Sequence, residues 1–272
     1  RKYGEIKHGP DRKQIITLKE SFHGRTLATL AATGQDAFHK YYGPFPEGFV
    51  YADPTIEGVE ACMNERTCAV MIECIQGESG VNVLDKNFVQ AVEKLCRERD
   101  IIFICDEVQT GNGRTGRLYA YQAYGVSPDI VTTAKGLGGG LPIGACMLFE
   151  KCAGVFGYGD HGSTFGGNPV VCAGAYSILS RIDEKLLVSV REKGEYFREG
   201  LKKIDGVKEV TGMGLMIGIH TDKPAAEVAN ECMKRGLLVL TAHSNVRLLP
   251  PLTISKDDID FALKILNEVI SQ

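Results

Sequence analysis

Short unbroken apolar runs alternate with stretches of helical period along the first 150 residues, and that alternation leaves few folds open. Gln14–Lys19, Gly48–Tyr51, Cys68–Glu73, Ile101–Asp106, Asp129–Thr133 and Gly144–Phe149 read as strands. Most are continuously apolar, as in a sheet buried on both faces. Between two of them, Asn87–Arg99 sets Phe88, Val92, Leu95 and Cys96 on one helical face. This order predicts a mostly parallel α/β sheet with right-handed crossovers. After Pro169 the pattern changes. A long helical stretch is expected from Val170 toward Ile204. An apolar segment (Gly214–His220), a helix (Pro224–Arg235), a strand (Leu237–Thr241), the run Val246–Leu249 and a last helix (Lys256–Ser271) follow. The reading is a large domain over 1–169 and a smaller α+β domain over 170–272, hung on the long helix.

Composition removes other classes. Charged residues are 24% and AVILMFWYC residues 44% of 272, ordinary globular values. No apolar run approaches the ~20 residues of a membrane helix. A net charge of -3 gives no basic excess for nucleic acid. The nine cysteines include no C-x-x-C and none near a His pair at zinc spacing. They read as buried free thiols of a reducing cytosol, several within strands (Cys68, Cys105, Cys146), and no metal is expected. Glycine, at 32 residues, is enriched over the usual ~7%.

Ligands of open parallel sheets bind beyond the carboxyl ends of the strands. Ile101–Cys105 runs into Asp106-Glu107-Val108-Gln109-Thr110-Gly111, which also fits a Walker B strand. A phosphate loop G-x-x-x-x-G-K-[ST] would have to accompany it, and the sequence has none. Gly111-Asn112-Gly113-Arg114-Thr115-Gly116 is a literal G-x-G-x-x-G. A dinucleotide fold needs its first Gly in the turn off the strand and a long helix after it. Here polar residues intervene and Pro128 closes the space, so a glycine turn is expected. Lys135 ends another apolar strand and is followed by a glycine-rich stretch, Gly136 to Gly140. A Lys amine and an Asp carboxylate at neighbouring strand ends suit pyridoxal phosphate. The amine can capture its aldehyde, and the carboxylate can keep its ring nitrogen protonated. On spacing alone, a structural Lys135–Asp106 ion pair stands beside that reading.

Longer motifs add to this. Asp106–Gly111 with Arg114-Thr115-Gly116, Pro128-Asp129-Ile130, Ala134-Lys135-Gly136 and His161–Pro169 resemble the class III pyridoxal-phosphate aminotransferases. Ser21-Phe22-His23-Gly24-Arg25-Thr26, Gln76-Gly77-Glu78 and Arg247-Leu248-Leu249-Pro250-Pro251 are most similar to the branch acting on N-acetylornithine. The resemblance implies fold type I, with helices on both sheet faces and Gly144–Phe149 antiparallel. It implies Lys135 as the cofactor-binding amine and proton carrier, and Asp106 as partner of the ring nitrogen. Gln109 would lie near the ring's phenolic oxygen, with Phe22 and Val108 on its two faces. Thr164 and Ser163 would reach the phosphate of a partner subunit's cofactor, making a cytoplasmic homodimer. Arg247 would take the carboxylate beside glutamate's reacting carbon and Arg25 the distal one. Glu78 would mask Arg247 while N-acetylornithine reacts. The implied reaction converts N-acetylornithine and 2-oxoglutarate to N-acetylglutamate semialdehyde and glutamate. Other ω-amine donors (ornithine, succinylornithine, 4-aminobutyrate) and an inactive fragment remain as alternatives. The class carries a phosphate-cupping Ser-Gly-Thr-Glu-Ala-like turn ahead of its Ser-Phe-His-Gly-Arg-Thr motif. Arg1–Glu20 hold no counterpart, so this chain is expected to match the class without its first part and to bind cofactor weakly.

Overall fold

The computed structural model describes residues 1–271. Twelve strands occur among them: β1 (Gln14–Leu18), β2 (Phe49–Ala52), β3 (Thr67–Ile72), β4 (Ile75–Gln76), β5 (Asn82–Val83), β6 (Ile102–Asp106), β7 (Ile130–Thr133), β8 (Ala145–Leu148), β9 (Val207–Met213), β10 (Met216–Thr221), β11 (Leu240–Ala242) and β12 (Asn245–Leu248). They fall into two compact units. The first comprises Arg1–Cys74, Leu84–Gln109 and Tyr121–Leu179, the second Ile75–Val83, Thr110–Ala120 and the chain from Ser180 on. The sequence pattern placed one linear boundary after 169; these units instead interleave, and the first extends to Leu179.

The first unit is built on a six-stranded sheet of order β2-β1-β3-β6-β7-β8. All pairings are parallel except β7 with β8. The continuously apolar strands β3 and β6 lie in the middle, where both faces are covered and alternation has no use. The helix Lys86–Glu98 begins where Asp85 accepts the Phe88 N–H at 2.9 Å. It buries Phe88, Val89, Val92, Leu95 and Cys96, each worth roughly 1.5–3 kcal/mol for a large side chain. All nine cysteines are free. Cys68 and Cys105 are buried, but Cys146 is exposed because β8 is an edge strand.

The second unit holds a four-stranded antiparallel sheet of order β11-β12-β10-β9. Its core joins Phe197, Leu201, Ile217, Ile219, Val246 and Leu266. The helix expected to run unbroken from Val170 is two helices, Pro169–Leu179 and Glu184–Leu201. The break lies at Ser180–Asp183, where the Asp183 carboxylate caps the second helix by accepting the Leu186 N–H at 2.8 Å. The last helix, Lys256–Ile270, starts with a capping box between Ser255 and Asp258. Gly111–Gly116 is a turn, with positive φ at Asn112, Gly113 and Gly116. Half-buried Arg114 donates from that turn to the carbonyls of Leu215 (3.2 Å) and Pro250 (2.5 Å). Among the described residues no helix is long and apolar enough to cross a membrane.

Candidate active site at the strand ends

Four parallel strands of the first unit deliver polar residues at their carboxyl ends: β1 leads to Ser21–Arg25, β3 to Glu73, β6 to Asp106–Gln109 and β7 to Lys135. Asp106 closes β6 opposite Thr132 of β7 and is buried. Its Oδ1 accepts the Val108 N–H at 3.1 Å and the Thr132 hydroxyl at 3.0 Å. Its Oδ2 accepts the Nδ1–H of His23 at 2.8 Å. Burial by itself would raise the Asp106 pKa, but the bond and charge of His23, with the two other donors, outweigh it and hold the carboxyl below its ordinary value. For His23, burial lowers the pKa, yet the Asp106 bond and the charges of Asp106 and Glu73 raise it on balance. The result is an anchored carboxylate backed by an imidazole.

Lys135 follows β7 and opens a short 3₁₀ turn, Lys135–Gly138, with a left-handed backbone of φ 48° and an exposed side chain. The glycines after it permit close packing. A Cβ on Gly139 would lie 2.7 Å from the Ile178 side chain, so the helix Pro169–Leu179 rests directly on this turn. Phe22 is half-buried and meets Phe38 edge-on, with centroids 5.4 Å apart. The exposed Arg25 guanidinium stands 4.4 Å from the Phe38 ring centroid and 5.3 Å from that of Phe22. Val108 and Gln109 are half-buried, and Ser163 and Thr164 lie on an exposed segment.

Glu78 and Arg247 belong to the second unit. Arg247 lies on β12, paired on one side with Gly218 and on the other with Leu240, and is 6% exposed. Its Nη1 donates to Glu78 Oε1 at 2.8 Å and to the Gly77 carbonyl at 2.7 Å. Its Nη2 reaches Glu78 Oε2 at 3.4 Å, completing a fork. Two contacts fix the turn that carries Glu78, between β4 and β5. Asn245 donates to the Gly80 carbonyl at 2.9 Å, and a Cβ on Gly218 would lie 2.6 Å from that same oxygen. The Glu78 side chain keeps 28% exposure, against 7% for that of Arg247.

The model of the class-III aminotransferases matches residues 1–270. This chain belongs to that family. The acetylornithine aminotransferase of Caldanaerobacter subterraneus is 48% identical over 280 residues, covering 100% of this chain and 71% of that protein. The acetylornithine aminotransferase of Haemophilus ducreyi is 46% identical, covering 100% and 70%. Among solved structures, the ornithine aminotransferase of Toxoplasma gondii superposes with a TM-score of 0.93 at 32% identity, covering 99% of this chain and 68% of that one. The N-acetylornithine aminotransferase of Stenotrophomonas maltophilia gives a TM-score of 0.84 at 32% identity, covering 100% and 69%.

Class-III aminotransferases depend on pyridoxal 5'-phosphate, and the residues present fit it. An ionised, buried Asp106 carboxylate suits a protonated ring nitrogen. An exposed amine at the neighbouring strand end suits the aldehyde, and the half-buried Phe22 offers an aromatic face. Parts for His23, Glu73 and Thr132 emerge only with the fold. His23 sits inside a motif singled out for its neighbours, and only the fold brings it to Asp106. Glu73 carried the same signal as Asp106, an acidic residue closing an apolar run.

Proposed function

We propose that this chain is an aminotransferase moving the terminal amine of N-acetylornithine to 2-oxoglutarate, giving N-acetylglutamate semialdehyde and glutamate. The observation that carries the reading is the forked Arg247–Glu78 pair. A buried guanidinium facing an apolar substrate is costly when left without a counter-charge. N-acetylornithine brings no carboxylate to its reacting amine, and Glu78 then neutralises Arg247. Glutamate does bring one, which takes the Arg247 fork as Glu78 gives way. Arg25 takes the distal carboxylate in both half-reactions. The names and identities of the relatives support the choice of N-acetylornithine over other ω-amines.

When bound, pyridoxal phosphate supplies an electron-withdrawing ring that stores the amino group between the half-reactions. Lys135 would hold the cofactor and carry the proton at the donor's amine-bearing carbon. Asp106, backed by His23, would keep a proton on the ring nitrogen. Phe22 and Val108 would pack against the ring, and Gln109 would serve its phenolic oxygen. Ser163 and Thr164 would hold the phosphate in a partner subunit. Exposed Phe156, Tyr158, Phe165 and Tyr176 support such a homodimer, working in the cytoplasm, where the free thiols stay reduced.

Steady-state rates with N-acetylornithine, ornithine, succinylornithine and 4-aminobutyrate, each with 2-oxoglutarate, test the proposal. The highest kcat/KM is expected for N-acetylornithine. A higher value for any other donor overturns it.

A further inference from the structure

Carboxyl groups stand at the ends of both β3 and β6, and the chemistry above uses only Asp106. Glu73, directly after β3, is 5% exposed. Its Oε2 accepts the Phe22 backbone N–H at 2.9 Å. One residue further on, His23 donates to Asp106 at 2.8 Å. The opposite side of this turn is tied to the segment after the helix Leu27–Ala32. There the Thr33 hydroxyl accepts the His23 N–H at 3.0 Å, and Gln35 donates to the Ser21 carbonyl at 3.0 Å. Glu73 thus fastens the Phe22–His23 turn to the sheet beside the point where His23 meets Asp106.

A buried carboxyl group is expensive unless it is paired or used. An amide of the same shape could accept the Phe22 N–H without that expense, so the acid itself has a part. The charged groups whose fields reach it are His23 from the turn after β1, Asp106 at the end of β6 and Lys135 after β7. We propose that Glu73 is a positioning residue of the cofactor site, setting Phe22 through its backbone and supplying negative charge that keeps His23 protonated against Asp106. The role rests on the proposed placement of the cofactor ring against Phe22 and Asp106. Burial first, and the Asp106 charge with it, push the Glu73 carboxyl up to about 7, while His23, the Phe22 N–H and Lys135 oppose the rise. The Glu73 charge in turn raises His23.

The test compares the parent enzyme with Glu73→Gln, Glu73→Ala and, as reference, Asp106→Asn. In the cofactor-free form, ¹⁵N NMR follows the titration of the His23 ring. Removing the charge in Glu73→Gln should lower its midpoint by at least about 0.5 pH unit. Glutamine still accepts the Phe22 N–H, so its Kd for pyridoxal phosphate should rise less than about threefold, while Glu73→Ala should raise it at least about tenfold. An unmoved His23 midpoint in Glu73→Gln overturns the electrostatic role. Parent-like affinity in Glu73→Ala overturns the positioning role, and if that variant does not fold, the Glu73→Gln midpoint still decides. If Asp106→Asn changes neither affinity nor the bound cofactor's spectrum, the ring placement itself fails. If Asp106→Asn changes them and the Glu73 variants do not, only the role of Glu73 fails.

Discussion

Lys135 holds a backbone that lysine seldom adopts, at φ 48°, a strain of order 1 kcal/mol or more. Replacing Lys135 by Ala leaves the same strain and removes the amine. Turnover should collapse, and borohydride should no longer fix pyridoxal phosphate covalently to the chain, as read by mass spectrometry. Retained fixation elsewhere on the chain would displace Lys135 from its role. Lys135 and Asp106 were legible in the sequence because each is a charged residue closing an apolar run, a costly placement that asks for a reason. His23 gave no such signal, since its partner lies 83 positions away. Glu73 also has a measurable consequence for stability. Its pKa is raised to about 7 in the fold, against about 4.3 for an ordinary glutamate. Its contribution is therefore fully present below the ordinary value and is lost as pH rises through about 7. Parent stability should fall between pH 5 and 8 relative to Glu73→Gln, which cannot ionise, by up to about 3 kcal/mol. Urea melts of both proteins across that range check it; a difference independent of pH would mean Glu73 titrates normally.

At the scale of elements, the sequence located the six strands of the first unit's sheet because unbroken apolar runs mark a sheet covered on both faces, and it missed β4, β5 and β9. It did not show the break in the long helix, because Ser180–Asp183 interrupts no apolar period and acts through one capping bond at Asp183. Nor did it show how tightly the second helix packs. A Cβ on Gly194 would lie 2.1 Å from the Gly214 carbonyl oxygen, a rigid backbone atom. Gly194→Ala should gain helix propensity of up to ~1 kcal/mol but lose more to overpacking, typically ~1–3 kcal/mol. The expected outcome is net destabilisation by urea unfolding, and a stabilised variant would show that the helix can move away. The Glu78 turn gives a functional counterpart. Glu78→Ala leaves the Asn245 bond to Gly80 in place and removes the counter-charge of Arg247. It should slow the N-acetylornithine half-reaction more than the glutamate one, measured by single-turnover spectroscopy, because only the first requires Arg247 to be masked. Equal losses in both would argue against a gate.

For the whole molecule, the interleaving of the two units was not legible in the sequence. The segments Ile75–Val83 and Thr110–Ala120 belong to the second unit. They are held there by bonds such as Asn245 to Gly80 and Arg114 to Leu215, across 165 and 101 positions, which leave no mark on local periodicity. Assembly poses the same problem at larger scale. Ser163 and Thr164 are exposed, in a segment that also exposes Phe156, Tyr158 and Phe165, an arrangement suited to contact with a second copy. If Thr164 serves the partner's cofactor, each active site needs Lys135 from one subunit and Thr164 from the other. A Lys135→Ala subunit still offers Thr164, and a Thr164→Ala subunit still offers Lys135. Co-expressing the two variants should therefore recover activity that neither shows alone. With random pairing in a twofold dimer, half of the dimers are hybrids with one intact site of two, so about one quarter of parent activity is expected. Both variants must first be shown nearly inactive by themselves. If Thr164 acted within its own subunit, every site in the hybrid would lack one group and co-expression would recover nothing. Differently tagged subunits, purified in tandem to isolate the hybrid, should then show about half the parent's turnover per dimer, and a hybrid as inactive as its parents would place Thr164 outside the partner's site.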